Sequence, residues 1–265
     1  MNSISFCTLI CVVLLIACNN NQEPKNPEIP VINYTVVARF AHDTTSFTEG
    51  LLVHKGQLFE STGHTDSYTS SRSLFGIVDT GSGRITIKAE IDKAKYFGEG
   101  IVFLNDKIYQ LTDTTRIGFI YDAVTYKKLD EFHYEGEGWG LTTNGASLVM
   151  SNGSSNIVYR DPINFKPVKT LNVTDNNGPV SNINELELID GFIYANQWRT
   201  DYILKIDTSS GKVVGKLDLS SLKAAAKSAY PGSIETNGIA FDAAANKIYT
   251  TGKLWPYIYE IKFSH

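Results

Sequence analysis

Apolar residues in this chain come in short runs. Leu51-Leu-Val53, Leu58-Phe59, Ile101-Val-Phe-Leu104 and Ile108-Tyr109 are each bounded by polar or turn-forming pairs such as Lys55-Gly56 and Asn105-Asp106. Runs of this length, rich in β-branched and aromatic residues and punctuated in this way, predict strands joined as hairpins. Five segments share the template. They open at Glu49, Glu99, Trp139, Asn184 and Asn237, with spacings of 50, 40, 45 and 53 residues. In the first four, an apolar residue two places after the opening one (Leu51, Ile101, Leu141, Leu186) is followed seven places later by another (Leu58, Ile108, Leu148, Ile193). In the fifth the pair is Ile239 and Ile248, two residues longer.

Each hairpin is followed by a second two-strand run, as at residues 73–88 and 202–216. A unit therefore holds four strands in about 45 residues, the content of a propeller blade. Five units predict an all-β, five-bladed β-propeller with four antiparallel strands per blade. The fifth unit ends after three strands, at residues 257–263, and the stretch 34–39 is expected to supply the fourth and close the ring. The longest spacing contains an Ala- and Lys-rich stretch at 220–228 that predicts a short helix, and Asp-Asn-Asn-Gly at 175–178 reads as a turn.

This architecture gives the polar positions a meaning. The innermost strand of each blade lines the channel, so its first residue lies near one mouth. These residues are Glu49, Glu99, Trp139, Asn184 and Asn237. The antiparallel second strand returns to the same mouth, at Gly63, Asp113, Gly153, Trp198 and Lys253. One face is thus expected to collect carboxylates, amides, indoles and a lysine from distant parts of the chain, as small-molecule pockets do. Glu99 is the most unusual of them, a carboxylate between two glycines at the start of an apolar strand. Taken singly, such a Glu can be a hydrated or backbone-capping residue, and a single Trp can be packing.

Composition narrows the class. Of 265 residues, 42% are hydrophobic and 20% charged, and the net charge of −4 gives no nucleic-acid footprint. His42, His54, His64, His133 and His265 have no metal-ligand spacing. The three cysteines, Cys7, Cys11 and Cys18, all fall at the N-terminus, leaving the expected domain without a disulfide or a thiol nucleophile. Residues 1–17 carry no charge and are apolar from position 11, which fits a secretory signal. Leu-Ile-Ala-Cys at 15–18 resembles a bacterial lipobox, although the segment lacks the usual Lys or Arg. The domain reading is a signal peptide at 1–17, a flexible tether at 18–32 from a lipidated Cys18, and a propeller at 33–265. This implies a lipid bilayer as a partner and a bacterial cell-envelope location, on the periplasmic or extracellular side.

Short strings along residues 33–265 resemble the plant-type glutamine cyclotransferases. They include Phe-Thr-Glu-Gly at 47–50, Phe-Gly-Glu-Gly at 97–100, Glu-Gly-Trp-Gly-Leu at 137–141, Asn-Glu-Leu-Glu at 184–187, Ala-Asn-Gln-Trp at 195–198 and Thr-Gly-Lys-Leu-Trp-Pro at 251–256. The resemblance implies a five-bladed propeller that converts N-terminal glutamine of peptides or proteins into pyroglutamate, releasing ammonia without a catalytic metal. Position by position, it implies that Glu99 is the acid/base and that Asn184 and Lys253 hold the amide oxygen. Phe47, Trp139 and Trp198 would form aromatic walls. It also allows a structural calcium ion in the channel. Two positions depart from the plant pattern: Glu49 stands where that pattern has Gln, and Asp113 where it has Trp. A monomer is expected. Two alternatives remain open at this stage: a non-catalytic ligand- or peptide-binding propeller, and a lactonase-like propeller, which would require a central metal.

Overall fold

The computed structural model describes residues 28–265. Cys18, the signal segment 1–17 and most of the 18–32 tether therefore lie outside the described residues. Five four-stranded antiparallel sheets form, together with one short ribbon. Blade 1 comprises β2 (Thr48–His54), β3 (Gln57–Thr62), β4 (Leu74–Val78) and β5 (Ile85–Glu90). Blade 2 comprises β6 (Gly98–Leu104), β7 (Lys107–Thr112), β8 (Ile117–Asp122) and β9 (Lys128–His133). Blade 3 comprises β10 (Leu141–Thr143), β11 (Leu148–Met150), β12 (Asn156–Arg160) and β13 (Pro167–Asn172). The ribbon of β14 (Thr174–Asp175) and β15 (Gly178–Pro179) follows, with the expected turn between its strands. Blade 4 comprises β16 (Ile183–Ile189), β17 (Phe192–Gln197), β18 (Tyr202–Asp207) and β19 (Val213–Asp218). Helix α1 (Ser220–Ala229) comes next, where the sequence predicts it. Blade 5 comprises β20 (Thr236–Asp242), β21 (Lys247–Gly252) and β22 (Tyr257–Lys262), and its outer strand is β1 (Thr35–Ala41), paired with β22.

The core explains why the runs are continuous rather than alternating. There are five clusters of buried apolar residues, one at each blade–blade interface. Neighbouring residues on one strand serve different interfaces. Leu58 joins the cluster toward blade 5 and Phe59 the one toward blade 2, and Ile108 and Tyr109 divide in the same way between blades 1 and 3. A strand covered on both faces needs apolar residues at every position. The inner strands pack side by side around the axis, and close approach there requires glycine. A Cβ on Gly140 would stand 2.1 Å from the Asn184 carbonyl oxygen, and one on Gly100 would stand 2.5 Å from Leu141 N.

The seam between blades 5 and 1 has the smallest apolar cluster. A buried polar network lies beside it. His42 Nε2 is 3.1 Å from both oxygens of Glu60, and Thr48 Oγ1 donates to Glu60 Oε1 at 2.7 Å. His42 Nδ1 donates to the Trp255 carbonyl at 2.7 Å. Facing a carbonyl on one side and a carboxylate on the other, the ring is placed to favour its doubly protonated form. Burial opposes this charge, but Glu60, the Trp255 carbonyl and Asp43 together outweigh it and raise the His42 pKa.

One boundary moves. Residues 30–32, read from sequence as the end of the tether, run along β19. Ile32 N donates to the Lys216 carbonyl at 2.8 Å and Lys216 N to the Pro30 carbonyl at 2.9 Å. Ile29 and Ile32 pack against the blade 4 clusters. Their apolar side chains find a surface that the Asn/Pro-rich composition of the preceding stretch conceals.

Candidate active site

Four of the five inner strands carry a β-bulge at the same end. The register breaks between Thr48 and Gly50, Gly98 and Ile101, Ile183 and Leu186, and Thr236 and Ile239. The residues skipped by the ladder include Glu49, Glu99, Asn184 and Asn237, the opening residues of the sequence template. A bulge leaves a residue unpaired and re-aims its side chain. Here it turns the polar residues toward one mouth of the channel. In blade 3 the strand itself begins later, at Leu141, and Trp139 precedes it.

The second ring is fixed by backbone bonds just beyond the bulges. Gly63 N donates to the Phe47 carbonyl (2.9 Å), Asp113 N to Phe97 (3.1 Å), Trp198 N to Asn182 (2.8 Å) and Lys253 N to Glu235 (2.9 Å). The acceptors lie two residues before the bulge residue, except that in blade 3 the equivalent residue is Glu137. They form a third set at the same mouth. A cavity of about 360 Å³ results, lined by residues of all three sets: Phe47, Phe97, Glu137 and Glu235, then Glu49, Glu99, Trp139 and Asn184, then Asp113, Trp198 and Lys253. Tyr68, from the β3–β4 loop, and Ile234 complete it.

Of the residues expected at this mouth, Phe47, Glu49, Glu99, Asp113, Trp139, Asn184, Trp198 and Lys253 line this one cavity, whereas Gly63, Gly153 and Asn237 do not. Phe97, Glu137 and Glu235 were missed as a set. Their signal was available, because residues two apart on an extended chain share a face. Asn237 lies behind the cavity as a support. Its Nδ2 donates to Glu49 Oε2 at 2.8 Å and to the Thr48 carbonyl at 2.9 Å. Lys253 Nζ donates to Glu49 Oε1 at 2.6 Å and stands 4.6 Å over the Phe47 ring. Glu49 therefore engages the same lysine that the resemblance places at the amide oxygen.

Glu99 is 5% exposed, and its Oε2 has no hydrogen-bond partner; nor has Oδ1 of Asn184. Burial first, and the neighbouring Glu49 second, raise the Glu99 pKa well above the usual carboxylate range, with Lys253 opposing. Burial also pushes the Glu49 carboxyl up to about 7, despite Lys253 beside it. Aromatic rings form the walls. Phe47 packs against Tyr68 and Phe97, each at 5.7 Å, and Trp139 meets Trp198 edge-on at 5.4 Å.

Further into the channel are two carboxyls that sequence reasoning passed over. Glu185 stands where blades 1, 2, 3 and 5 have glycine after the mouth residue. Its Oε1 accepts from Leu51 N (3.2 Å) and its Oε2 from Ile239 N (2.8 Å), so one side chain joins three blades. Glu187 Oε1 accepts from Phe241 N at 3.1 Å. Burial pushes Glu187 up to about 8 and Glu185 well above its ordinary value. Calcium takes about six to eight oxygen ligands. Three of these four oxygens already accept a backbone N–H, so Glu185 and Glu187 do not by themselves supply such a shell. Among the described residues, no three His, Cys, Asp or Glu side chains gather to hold a metal.

Fold and site together define a class: five-bladed propellers with a buried carboxyl and a lysine facing each other in an aromatic-walled cavity at one mouth. The family model for glutamine cyclotransferase matches residues 9–263. A glutaminyl-peptide cyclotransferase of Arabidopsis thaliana is 38% identical over 230 residues, covering 86% of this chain and 70% of that protein. The crystal structure of Myxococcus xanthus glutaminyl cyclase superposes with a TM-score of 0.80 at 32% identity, covering 89% of this chain and 99% of that one. The chain belongs to the glutamine cyclotransferase family.

Proposed function

We infer that this cavity cyclises the N-terminal glutamine of peptides, with Glu99 carrying the proton and Lys253 and Asn184 facing the amide oxygen. The observation behind the assignment is Glu99 itself, a buried carboxyl with one oxygen unpartnered, in the same cavity as the Lys253 ammonium.

The substrate arrives with an α-ammonium, whose ordinary pKa is about 7.7–8.0. Ionised Glu99 takes one proton from it, freeing the amine. A carboxyl whose pKa is raised lies closer to that of the amine, which makes the transfer less uphill. The amine nitrogen then attacks the γ-carboxamide carbon, and the carbonyl oxygen gains charge. Lys253 Nζ and the Asn184 amide can donate to it. Glu99 passes its proton to the departing nitrogen and takes the one left on the ring nitrogen. The C–N bond to ammonia breaks, and the released ammonia takes the proton that Glu99 now holds and leaves as ammonium, so that Glu99 is ionised again. The two reacting groups belong to one molecule, so the aromatic walls have mainly to hold a folded-back conformer.

No step calls on a metal ion, and we propose metal-independent turnover. The test is purified protein with a Gln-Ala dipeptide, before and after exhaustive chelation. The expected product is a dipeptide lighter by one ammonia and blocked at its N-terminus, at the same rate in both arms. Loss of activity on chelation, restored by a metal, would overturn the metal-independent reading. No product in either arm would overturn the cyclisation. We also propose that lipidated Cys18 tethers the enzyme at the cell envelope; a Cys18→Ala variant that still partitions with membranes would contradict this.

A further inference from the structure

The cavity is unevenly charged. Five carboxyl groups line it, from Glu49, Glu99, Asp113, Glu137 and Glu235, against one ammonium, and that ammonium is bonded to Glu49. No Arg or His lines it. Asp113 and Glu137 lie together by Trp139: the indole Nε1–H donates to Glu137 Oε2 at 3.1 Å, and burial first and Glu137 second raise the Asp113 pKa. Asp113 Oδ1 is sealed from solvent with no hydrogen-bond partner. Glu99 Oε2 and Asn184 Oδ1, on side chains more than nine-tenths buried, are likewise unpartnered in the same cavity. A buried acceptor left unmatched costs about 1–3 kcal/mol, which a ligand's donor can recover.

Resting on the cyclisation reading above, we propose that Asp113 and Glu137 form a subsite for the residue after glutamine and select a cationic side chain there, lysine or arginine. With the glutamine held between Glu99, Asn184 and Lys253, the next Cα lies one peptide, about 3.8 Å, toward the mouth. That step brings the second side chain to the wall where Asp113 and Glu137 stand. A guanidinium or ammonium supplies the donor that Asp113 Oδ1 lacks, and its charge is complementary to both carboxylates. Glutamate at this place meets like charge. Arg199, which covers the Trp198 ring at 4.1 Å, is exposed and does not line the cavity.

The subsite is tested with the tripeptides Gln-Lys-Ala, Gln-Ala-Ala and Gln-Glu-Ala on wild type, Asp113→Asn and Glu137→Gln. For wild type at low salt, kcat/KM is expected to follow the order Lys, Ala, Glu, with about tenfold or more between the extremes, carried in KM. Each variant should bring the Lys/Glu ratio toward one, and added salt should shrink it in wild type. Equal values for the three peptides in wild type would overturn the proposal. So would a ratio that survives in both variants, the pattern expected if Asp113 held only the α-ammonium. Preference for the glutamate peptide would overturn it too and assign the rim to Arg199. Were none of the three turned over, the cyclisation reading itself would fall. Calorimetric titration of the same peptides would then decide the subsite: tighter binding of the lysine peptide supports it, and equal binding ends it.

Discussion

At the scale of single residues, Glu49 has the largest consequence. It bonds Lys253 and Asn237 while raising the pKa of Glu99. Replacing it by Gln removes the like charge and leaves Lys253 less neutralised, and both effects favour ionised Glu99. In Glu49→Gln, the acid limb of the kcat/KM profile is therefore expected to move to lower pH. A profile that stays in place would show that Glu99 is not the group titrating. The identity of Glu49 and Glu99 was legible in the sequence because both open a repeated template. Their coupling through Lys253 was not, since it joins residues some two hundred positions apart. Glu185 was illegible for another reason. The sequence offers it only as a polar residue in an apolar strand, and its meaning lies in two backbone N–H groups of other blades.

At the level of elements, the site is built by bulged inner strands and the ring is closed by one borrowed strand. The strand count per blade, the turn at Asn105-Asp106, the helix and the pairing of β1 with β22 all follow from hydrophobic runs and turn chemistry. The bulges do not, because a period-two pattern carries no mark of an inserted residue. The ring's seam is where an element can be tested. Glu60 accepts from His42 and Thr48 in a fully buried position, and removing one partner of a buried ionic pair costs about 3–5 kcal/mol. Glu60→Ala is expected to lower the melting temperature steeply, more than an exposed change such as Glu131→Ala. A variant beginning after Ala41, which lacks β1, should expose the β22 edge and fail to melt cooperatively. An unchanged melting temperature in Glu60→Ala would remove the network from the account of ring closure.

For the whole molecule, several buried groups act on stability in one direction. Glu49 and Glu187 have pKa values of about 7 and 8 in the fold, Glu185 is also raised, and His42 is raised above the usual histidine value. A raised folded pKa contributes stability that is complete below the unfolded value and is lost as pH climbs through the folded one. For the glutamates that window runs from the ordinary 4.5 up to about 7 and 8. The melting temperature is thus expected to fall between pH 5 and pH 8.5, and Glu187→Gln to flatten part of the fall. A stability that rises over this range would contradict the assigned burial of charge. The central claim is that the ring of blades brings Glu99 to a bound N-terminal glutamine as its proton carrier. The most direct measurement is kcat for a Gln-Ala dipeptide with Glu99→Gln beside wild type, both confirmed as folded by circular dichroism and melting temperature. A general acid–base group is worth roughly 100- to 10,000-fold, and a fall in kcat of that size, with melting temperature undiminished, is expected. Ammonia release by Glu99→Gln at the wild-type rate would contradict the account.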